Sequence, residues 1–334
     1  MNIIIPMAGR GTRLRPHTLT VPKPLLSIAG KPIVQRIVED LASSYPGEID
    51  EIAFVIGDFG KEAEVALLKI AASIGAKGKI FYQKQALGTA HAIYCAAESL
   101  TGNCIVAFAD TLFKADFSFD KEEDGYIWVK RVEDPSAYGV VNLNDQGYIT
   151  EFVEKPDTFV SDMAVVGIYY FKDADRLKAE IKQIIDTNNK DKGEFQLTTA
   201  LENLKSQGLK FKPGVIEEWL DCGNKDSLIN ANQRILEFKK DEALVHPEAQ
   251  IIDSVIIAPC YIGKNAIITN SVVGPHVSIG ESSELRQMVI KNSIIQNHTK
   301  MRYGIVENSM VGSHSLYESN PSNLSIGDFS TLKQ

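Results

Sequence analysis

The start of this chain limits its fold more than any other feature: a short apolar strand, Ile3-Ile4-Ile5-Pro6, runs straight into Ala8-Gly9-Arg10-Gly11-Thr12-Arg13-Leu14-Arg15-Pro16. A run this apolar reads as a buried first strand. Glycines directly after it let the backbone turn sharply and bring N–H groups against phosphate oxygens with no Cβ in the way. Gly9 and Gly11 match neither the GxGxxG spacing nor the GxxxxGK[ST] spacing, so the glycines alone say little. Charge adds the specificity. Arg13 brings a permanently charged, forked donor, and Lys23 stands between two prolines in Val21-Pro22-Lys23-Pro24-Leu25, where it is held stiff. Loop, arginine and lysine together predict a cradle for a triphosphate.

The rhythm that follows is βαβ: helix-like 33–42, strand 51–56, helix-like 62–74, strand 80–83, then a helical pattern over 88–100 and a buried strand over 104–109 that stops at Asp110. Ligands of open α/β sheets gather at the carboxyl ends of such strands, which puts Asp110 where chemistry is expected. Strand-like segments at 126–131, 138–143, 148–153 and 164–171, with helices at 174–187, 196–206 and 225–240, predict a doubly wound α/β fold with a mixed sheet over residues 1–245.

Beyond residue 245 helical spacing disappears. A weak repeat emerges in Asp253-Ser254-Val255-Ile256, Asn270-Ser271-Val272-Val273, Asn292-Ser293-Ile294-Ile295 and Asn308-Ser309-Met310-Val311, with serines 17, 22 and 16 residues apart. Ile262 and Ile268 are six apart, as are Val273 and Ile279, with Gly263, Gly274 and Gly280 at turn positions. That spacing predicts a hexapeptide β-helix over 246–334, each coil turning one aliphatic per face into a narrow core.

Composition excludes several classes. A formal charge of -8 argues against a nucleic-acid groove, and no apolar run approaches the ~20 residues of a membrane span. Cys95, Cys104, Cys222 and Cys260 show neither CxxC pairing nor partnered histidines, so no zinc site or disulfide framework is expected. The N-terminus shows no basic segment or cleavage site of a signal peptide, which makes the cytoplasm the expected compartment.

Taken in order, Gly9 to Arg13, Lys23-Pro24, Asp110, Glu154-Lys155-Pro156 and Asp221 resemble the sugar-1-phosphate nucleotidylyltransferase family, which includes glucose-1-phosphate thymidylyltransferases and their guanylyl and uridylyl relatives. The resemblance spans nearly the whole chain. It departs at Met7-Ala8-Gly9, where thymidylyltransferases usually carry two glycines, and at Phe108-Ala109-Asp110-Thr111 in place of the commoner G-D. It implies a Rossmann-like nucleotidyltransferase domain with a left-handed β-helix, and the joining of a nucleoside triphosphate to a sugar 1-phosphate with release of pyrophosphate. Glucose 1-phosphate with dTTP is the first expectation, and UTP or GTP with another hexose or hexosamine 1-phosphate the alternative. The implied metal is Mg²⁺ on Asp110 and Asp221. The implied nucleotide site is Ala8, Gly9, Gly11, Thr12, Arg13, Gln83, Gly88 and Thr89, with Arg13 and Lys23 stabilising the leaving pyrophosphate. Gly139, Glu154, Lys155 and Val166 would hold the sugar phosphate.

The family often assembles through its β-helix, so a homo-oligomer is expected. No histidine receives a role here. His276, His298 and His314 underlie a rival reading as a β-helix acyltransferase, and a non-catalytic regulatory subunit is a third.

Overall fold

The computed structural model describes residues 1–9, 11–114, 120–320, 325–329 and 331, so Arg10 of the first loop lies outside the described residues. The chain divides into two units, one of Met1–Ser27 with Lys31–Leu228, the other of Ile28–Gly30 with Ile229–Gln334.

In the first unit, β1 (Asn2–Pro6), α1 (Ile33–Ser44), β2 (Glu51–Ile56), α2 (Lys61–Ser73), β3 (Lys77–Tyr82), α3 (Thr89–Tyr94) and β4 (Cys104–Ala107) follow the predicted alternation. β1 pairs in parallel with β2 on one side and β4 on the other, and β2 with β3. Met163–Phe171 runs antiparallel to β4 and carries the sheet onward to Gly125–Arg131 and Gly139–Leu143, which makes it mixed. Strand β1 is all core, with Ile3, Ile4 and Ile5 fully buried. Helix α1 buries Ile33, Val34, Ile37, Val38 and Leu41, the i, i+3, i+4 stripe of a helix lying on a sheet. It packs with α2, whereas α3 packs with helices Ala174–Asp186 and Leu197–Ser206, as a doubly wound sheet requires.

The expected helix over 88–100 is shorter. Regular α-helix ends at Tyr94, and the chain continues in tighter turns with Ala96, Ala97 and Ser99 donating to Ile93, Tyr94 and Ala96.

The second unit is a stack of parallel coils. Gln250, Ile267, Glu284, Lys300 and Leu316 stand in register, a rise of one coil every 16 or 17 residues. Three ladders of left-handed residues mark the corners: Asp253, Asn270, Gln287 and Tyr303; Asn265, Ser282, His298 and His314; His276, Asn292 and Asn308. Ile262, Ile268, Val273, Ile279, Leu285 and Ile290 are each at most 1% exposed, so the aliphatics that the six-residue spacing picks out do fill the interior. Three corners and one narrow core are consistent with a β-helix.

The serine repeat, however, joins two different corners. Ser254 and Ser271 follow one ladder, and Ser254 Oγ accepts from Ser271 N at 3.0 Å; Ser293 and Ser309 follow another, with Ser293 Oγ accepting from Ser309 N at 3.1 Å. Both corners need a left-handed residue followed by a small hydroxyl that bonds the next coil. The same tetrapeptide therefore recurs at both, and the 22-residue interval is the step between them.

Asn232 ties this unit together from a fully buried position. Its Oδ1 accepts from Ala29 N at 3.0 Å and Ser278 Oγ at 2.6 Å, while its Nδ2 donates to His276 O at 3.3 Å. Gly30 lies under Tyr261, where a Cβ would fall 2.2 Å from the ring. No helix among the described residues is long and apolar enough to cross a membrane.

Candidate active site

Strands β1 and β4 are neighbours whose continuing loops go separate ways, and such a switch point opens a crevice at their carboxyl ends. Two cavities of about 420 and 380 Å³ lie there in the first unit, and both are lined by Arg13, Thr89, Phe108 and Asp110.

The first cavity holds the glycine loop. Gly11 adopts φ 59° at the start of a 3-10 turn, Thr12–Leu14, and a Cβ on it would fall 2.9 Å from Lys23 Cβ. Its glycine is therefore required twice, by conformation and by space. Gly9 differs: a Cβ there would meet nothing within 4 Å, so what a side chain would occupy is the cavity itself. Thr18 Oγ1 donates to Gly11 O at 2.7 Å and steadies the turn. Lys23 Nζ reaches Asp110 O at 3.2 Å, which anchors the lysine across the cavity floor. Ala8, Gly9, Gly11, Thr12, Arg13, Lys23, Gln83, Gly88 and Thr89 all line this cavity. Thr89 is already committed, since its Oγ1 donates to Gln196 Oε1 at 3.1 Å and accepts from Leu197 N at 2.9 Å.

Asp110 follows β4, and Asp221 ends strand Glu218–Asp221, which runs antiparallel to Thr111–Lys114 with Asp221 opposite Thr111. Cys222 N donates to Asp110 O at 3.1 Å, so the two aspartates occupy adjoining backbone positions. Both are exposed, and Asp221 and Asp110 both line the second cavity. Helix capping does not account for Asp221, because Asn224 Oδ1 takes the Asp226 and Ser227 N–H groups at the start of the following helix. One oxygen of Asp221 accepts from Gly223 N at 2.8 Å. A Cβ on Gly223 would fall 2.9 Å from that oxygen and 3.0 Å from Arg13 Nη2, so its glycine leaves room for the guanidinium beside the carboxylate.

Among the described residues no cluster of three or more His, Cys, Asp or Glu could enclose a metal. Two exposed carboxylates, with Asp221 using one oxygen on Gly223 N and keeping the other, instead fit a hard cation that completes its shell with substrate phosphate and water. Cys222, at the same spot, is no nucleophile: burial pushes its thiol up to about 12.

The second cavity gathers Gly139, Glu154, Lys155 and Val166 as the resemblance implies. Glu154 Oε2 accepts from Thr198 Oγ1 at 3.2 Å and would lie 3.1 Å from a Cβ on Gly139. Lys155 adopts φ 43° with its ammonium 3.8 Å from Glu154 Oε1, and Lys192 Nζ holds its carbonyl at 2.7 Å. Tyr169, Thr198, Gln196 and Trp219 also line this cavity. Burial, then the carboxylates of Glu154 and Asp110, raise the Tyr169 pKa far above its ordinary value and keep it a neutral donor. Trp219 Nε1 is buried with no hydrogen-bond partner among the described residues, its ring 4.8 Å from that of Tyr138. Two of the four carried a readable signal: Trp219 stands two residues before Asp221, and Tyr169 three residues after Val166.

Fold and site define an α/β protein in which a glycine-loop cavity and a second cavity share Arg13, Thr89, Phe108 and Asp110. The chain belongs to the nucleotidyl transferase family, matched over residues 2–237, and is a nucleotidyltransferase. It is 29% identical to the glucose-1-phosphate thymidylyltransferase of Streptomyces antibioticus, over 100% of this chain and 99% of that one. It is also 29% identical to the low-salt glycan biosynthesis nucleotidyltransferase Agl11 of Haloferax volcanii, over 93% and 92% of the respective chains. Among solved structures, a UDP-glucose pyrophosphorylase with UDP-glucose shares the fold at a TM-score of 0.58 and 23% identity, covering 71% of this chain and 98% of that one.

Proposed function

We propose that the chain joins a nucleoside triphosphate to a sugar 1-phosphate and releases pyrophosphate, with dTTP and glucose 1-phosphate as the preferred pair. One observation carries this: the phosphate cradle and the cavity containing Glu154 and Lys155 share Arg13 and Asp110, so two phosphate-bearing substrates can meet at one point. The full-length similarity to a thymidylyltransferase favours dTTP. UTP or GTP with another hexose phosphate remains the alternative, because base and sugar are read by backbone groups and pocket shape.

The 1-phosphate oxygen attacks the α-phosphorus in line, and the bond to pyrophosphate breaks. Such a transfer needs positioning and charge neutralisation and no covalent intermediate on the protein. Arg13 and Lys23 neutralise the leaving pyrophosphate, and the loop N–H groups orient it. Lys155 engages the sugar phosphate as a point charge, and Glu154 accepts from sugar hydroxyls. Asp110 and Asp221 would hold Mg²⁺, which supplies Lewis-acid polarisation of the α-phosphate. Assaying pyrophosphate from four triphosphates against a set of sugar 1-phosphates tests the reading. Absence of release from every pair refutes it, and release by a chain ending at residue 245 ends the acyltransferase alternative.

Lys155→Ala should raise the KM for the sugar phosphate about tenfold, the size of a lost charge-assisted hydrogen bond, and leave that for the triphosphate nearly unchanged. Steady-state kinetics on both substrates decide, and equal effects would remove Lys155 from this position.

The second unit serves assembly in this reading. Val255, Val272, Val289 and Ile305 form one cross-coil ladder, and Val255, Val289 and Ile305 are 56%, 45% and 80% exposed. An apolar stripe this exposed suits a second copy of itself in a closed homo-oligomer. Sedimentation should show an oligomer for the intact chain and a monomer for the double variant Val289→Glu, Ile305→Glu. An intact chain that is monomeric at high concentration would disprove it.

A further inference from the structure

His91 sits in α3 behind Gln83, and the two side chains form a closed hydrogen-bond arrangement. Gln83 Nε2 donates to Gly88 O at 3.1 Å and lies 3.1 Å from His91 Nδ1. A carbonyl oxygen only accepts, so Gly88 decides which end of the amide is NH₂. Both hydrogens of that nitrogen are then used, one on Gly88 O and one on His91 Nδ1. Nδ1 must be bare to accept, so the imidazole proton sits on Nε2 and the ring is neutral. The other end of the amide, Oε1, has no hydrogen-bond partner among the described residues, and Gln83 lines the cavity of the glycine loop.

We propose that His91 is a positioning residue for base selection: it locks the Gln83 amide so that only its oxygen faces the base. A fixed acceptor favours bases with a ring N–H at that edge, as in thymine, uracil and guanine. It opposes bases with a bare ring nitrogen there, as in cytosine and adenine, because two acceptors would meet. The inference rests on the reading of this cavity as the nucleoside triphosphate site.

Burial lowers the His91 pKa from its ordinary value, and no charged side chain contributes to that shift. Cys95 Sγ lies 4.0 Å from the same Nδ1, and burial raises its thiol, so it stays neutral wherever the imidazole titrates. At neutral pH the lock is therefore closed. Well below pH 6.5 the ring gains a proton at Nδ1 and becomes a donor facing a donor. Either the amide turns, leaving Gly88 O unpaired, or the ring swings away, and in both cases the fixed acceptor is lost.

The test compares kcat/KM for UTP against CTP, dTTP against dCTP and GTP against ATP, with inhibition constants wherever turnover is absent. Wild type at pH ~7.5 should favour the N–H base within the accepted pair. His91→Leu should lower that ratio about five- to tenfold through KM, with kcat nearly unchanged, as expected for one hydrogen bond. His91→Asn, whose Oδ1 can accept where Nδ1 did, should keep the ratio. As the pH falls through the titration of the His91 ring, followed by its imidazole NMR signal, the wild-type ratio should fall while that of His91→Asn holds, which separates the ring from the titration of the triphosphate itself.

A wild type that prefers the bare-nitrogen base overturns the proposal, as does a His91→Leu variant with an unchanged ratio. Parallel pH profiles for wild type and His91→Asn across the titration of the ring overturn it too, and the wild-type profile needs no variant to fold. A wild type that releases no pyrophosphate from any triphosphate would instead strike at the assigned function, which is a different outcome.

Discussion

Asp110→Asn and Asp221→Asn should each lower turnover by ~100-fold or more while leaving the fold intact. Both carboxylates are exposed at adjoining strand ends, and asparagine keeps the size and, at position 221, an oxygen to accept from Gly223 N. What the substitution removes is one negative charge. That makes the sign of the effect informative, because the triphosphate is itself strongly anionic. Were these carboxylates merely lining the cavity, removing one would relieve repulsion and tighten triphosphate binding. As cation ligands they should do the opposite: turnover drops, and the apparent Mg²⁺ requirement rises. Near-normal activity in both variants with an unchanged magnesium dependence would take the metal away from these residues. Thermal unfolding should show little change in either, since neither side chain is part of the core.

Much of this was legible in the sequence because the relevant constraints are local. An all-apolar strand followed by glycines fixes the position of the first loop, and Gly11 with φ 59° shows why glycine is needed there. The six-residue aliphatic spacing marked the interior of the coils for a similar reason, since one residue per face must fill a narrow core. What escaped depends on long-range packing. Segment 194–198 lines both cavities through Glu194, Gln196, Leu197 and Thr198, yet it carries no motif. Its position is set by Phe195, whose backbone bonds Leu87 and Ala90 more than a hundred residues earlier.

Ile28–Gly30 was equally hidden. Nothing in Ile28-Ala29-Gly30 announces that Asn232, two hundred positions later, will hold Ala29. The uneven spacing of the Asp-Ser and Asn-Ser pairs has a long-range cause too, since two corners with one backbone requirement select one tetrapeptide. His91 left no trace because its role is second-hand, acting through the amide of Gln83.

Gly88→Ala should be the most damaging single methyl group in the first unit. Gly88 adopts φ 116° and ψ 174°, a region essentially reserved for glycine, so alanine is strained before any contact is made. The contact is severe as well: a Cβ would fall 2.4 Å from Phe195 O and 2.6 Å from Phe195 N. These are backbone atoms held by two hydrogen bonds, Phe195 N to Leu87 O at 2.8 Å and Ala90 N to Phe195 O at 2.9 Å, so neither can move without breaking the strap. Its rupture would free Thr89 from Leu197 and Gln83 from Gly88 O, which disturbs both cavities at once. We expect a loss of about 3–5 kcal/mol in unfolding free energy and a fall in pyrophosphate release of ~100-fold or more. Gly147→Ala provides the comparison, with φ 78° but nothing within 4 Å of its Cβ. It should cost only the ~1–2 kcal/mol of a left-handed alanine and leave turnover unchanged. Denaturant unfolding of both variants separates conformation from collision, and equal losses in the two would show that the Phe195 strap yields to a methyl group and holds neither cavity in place.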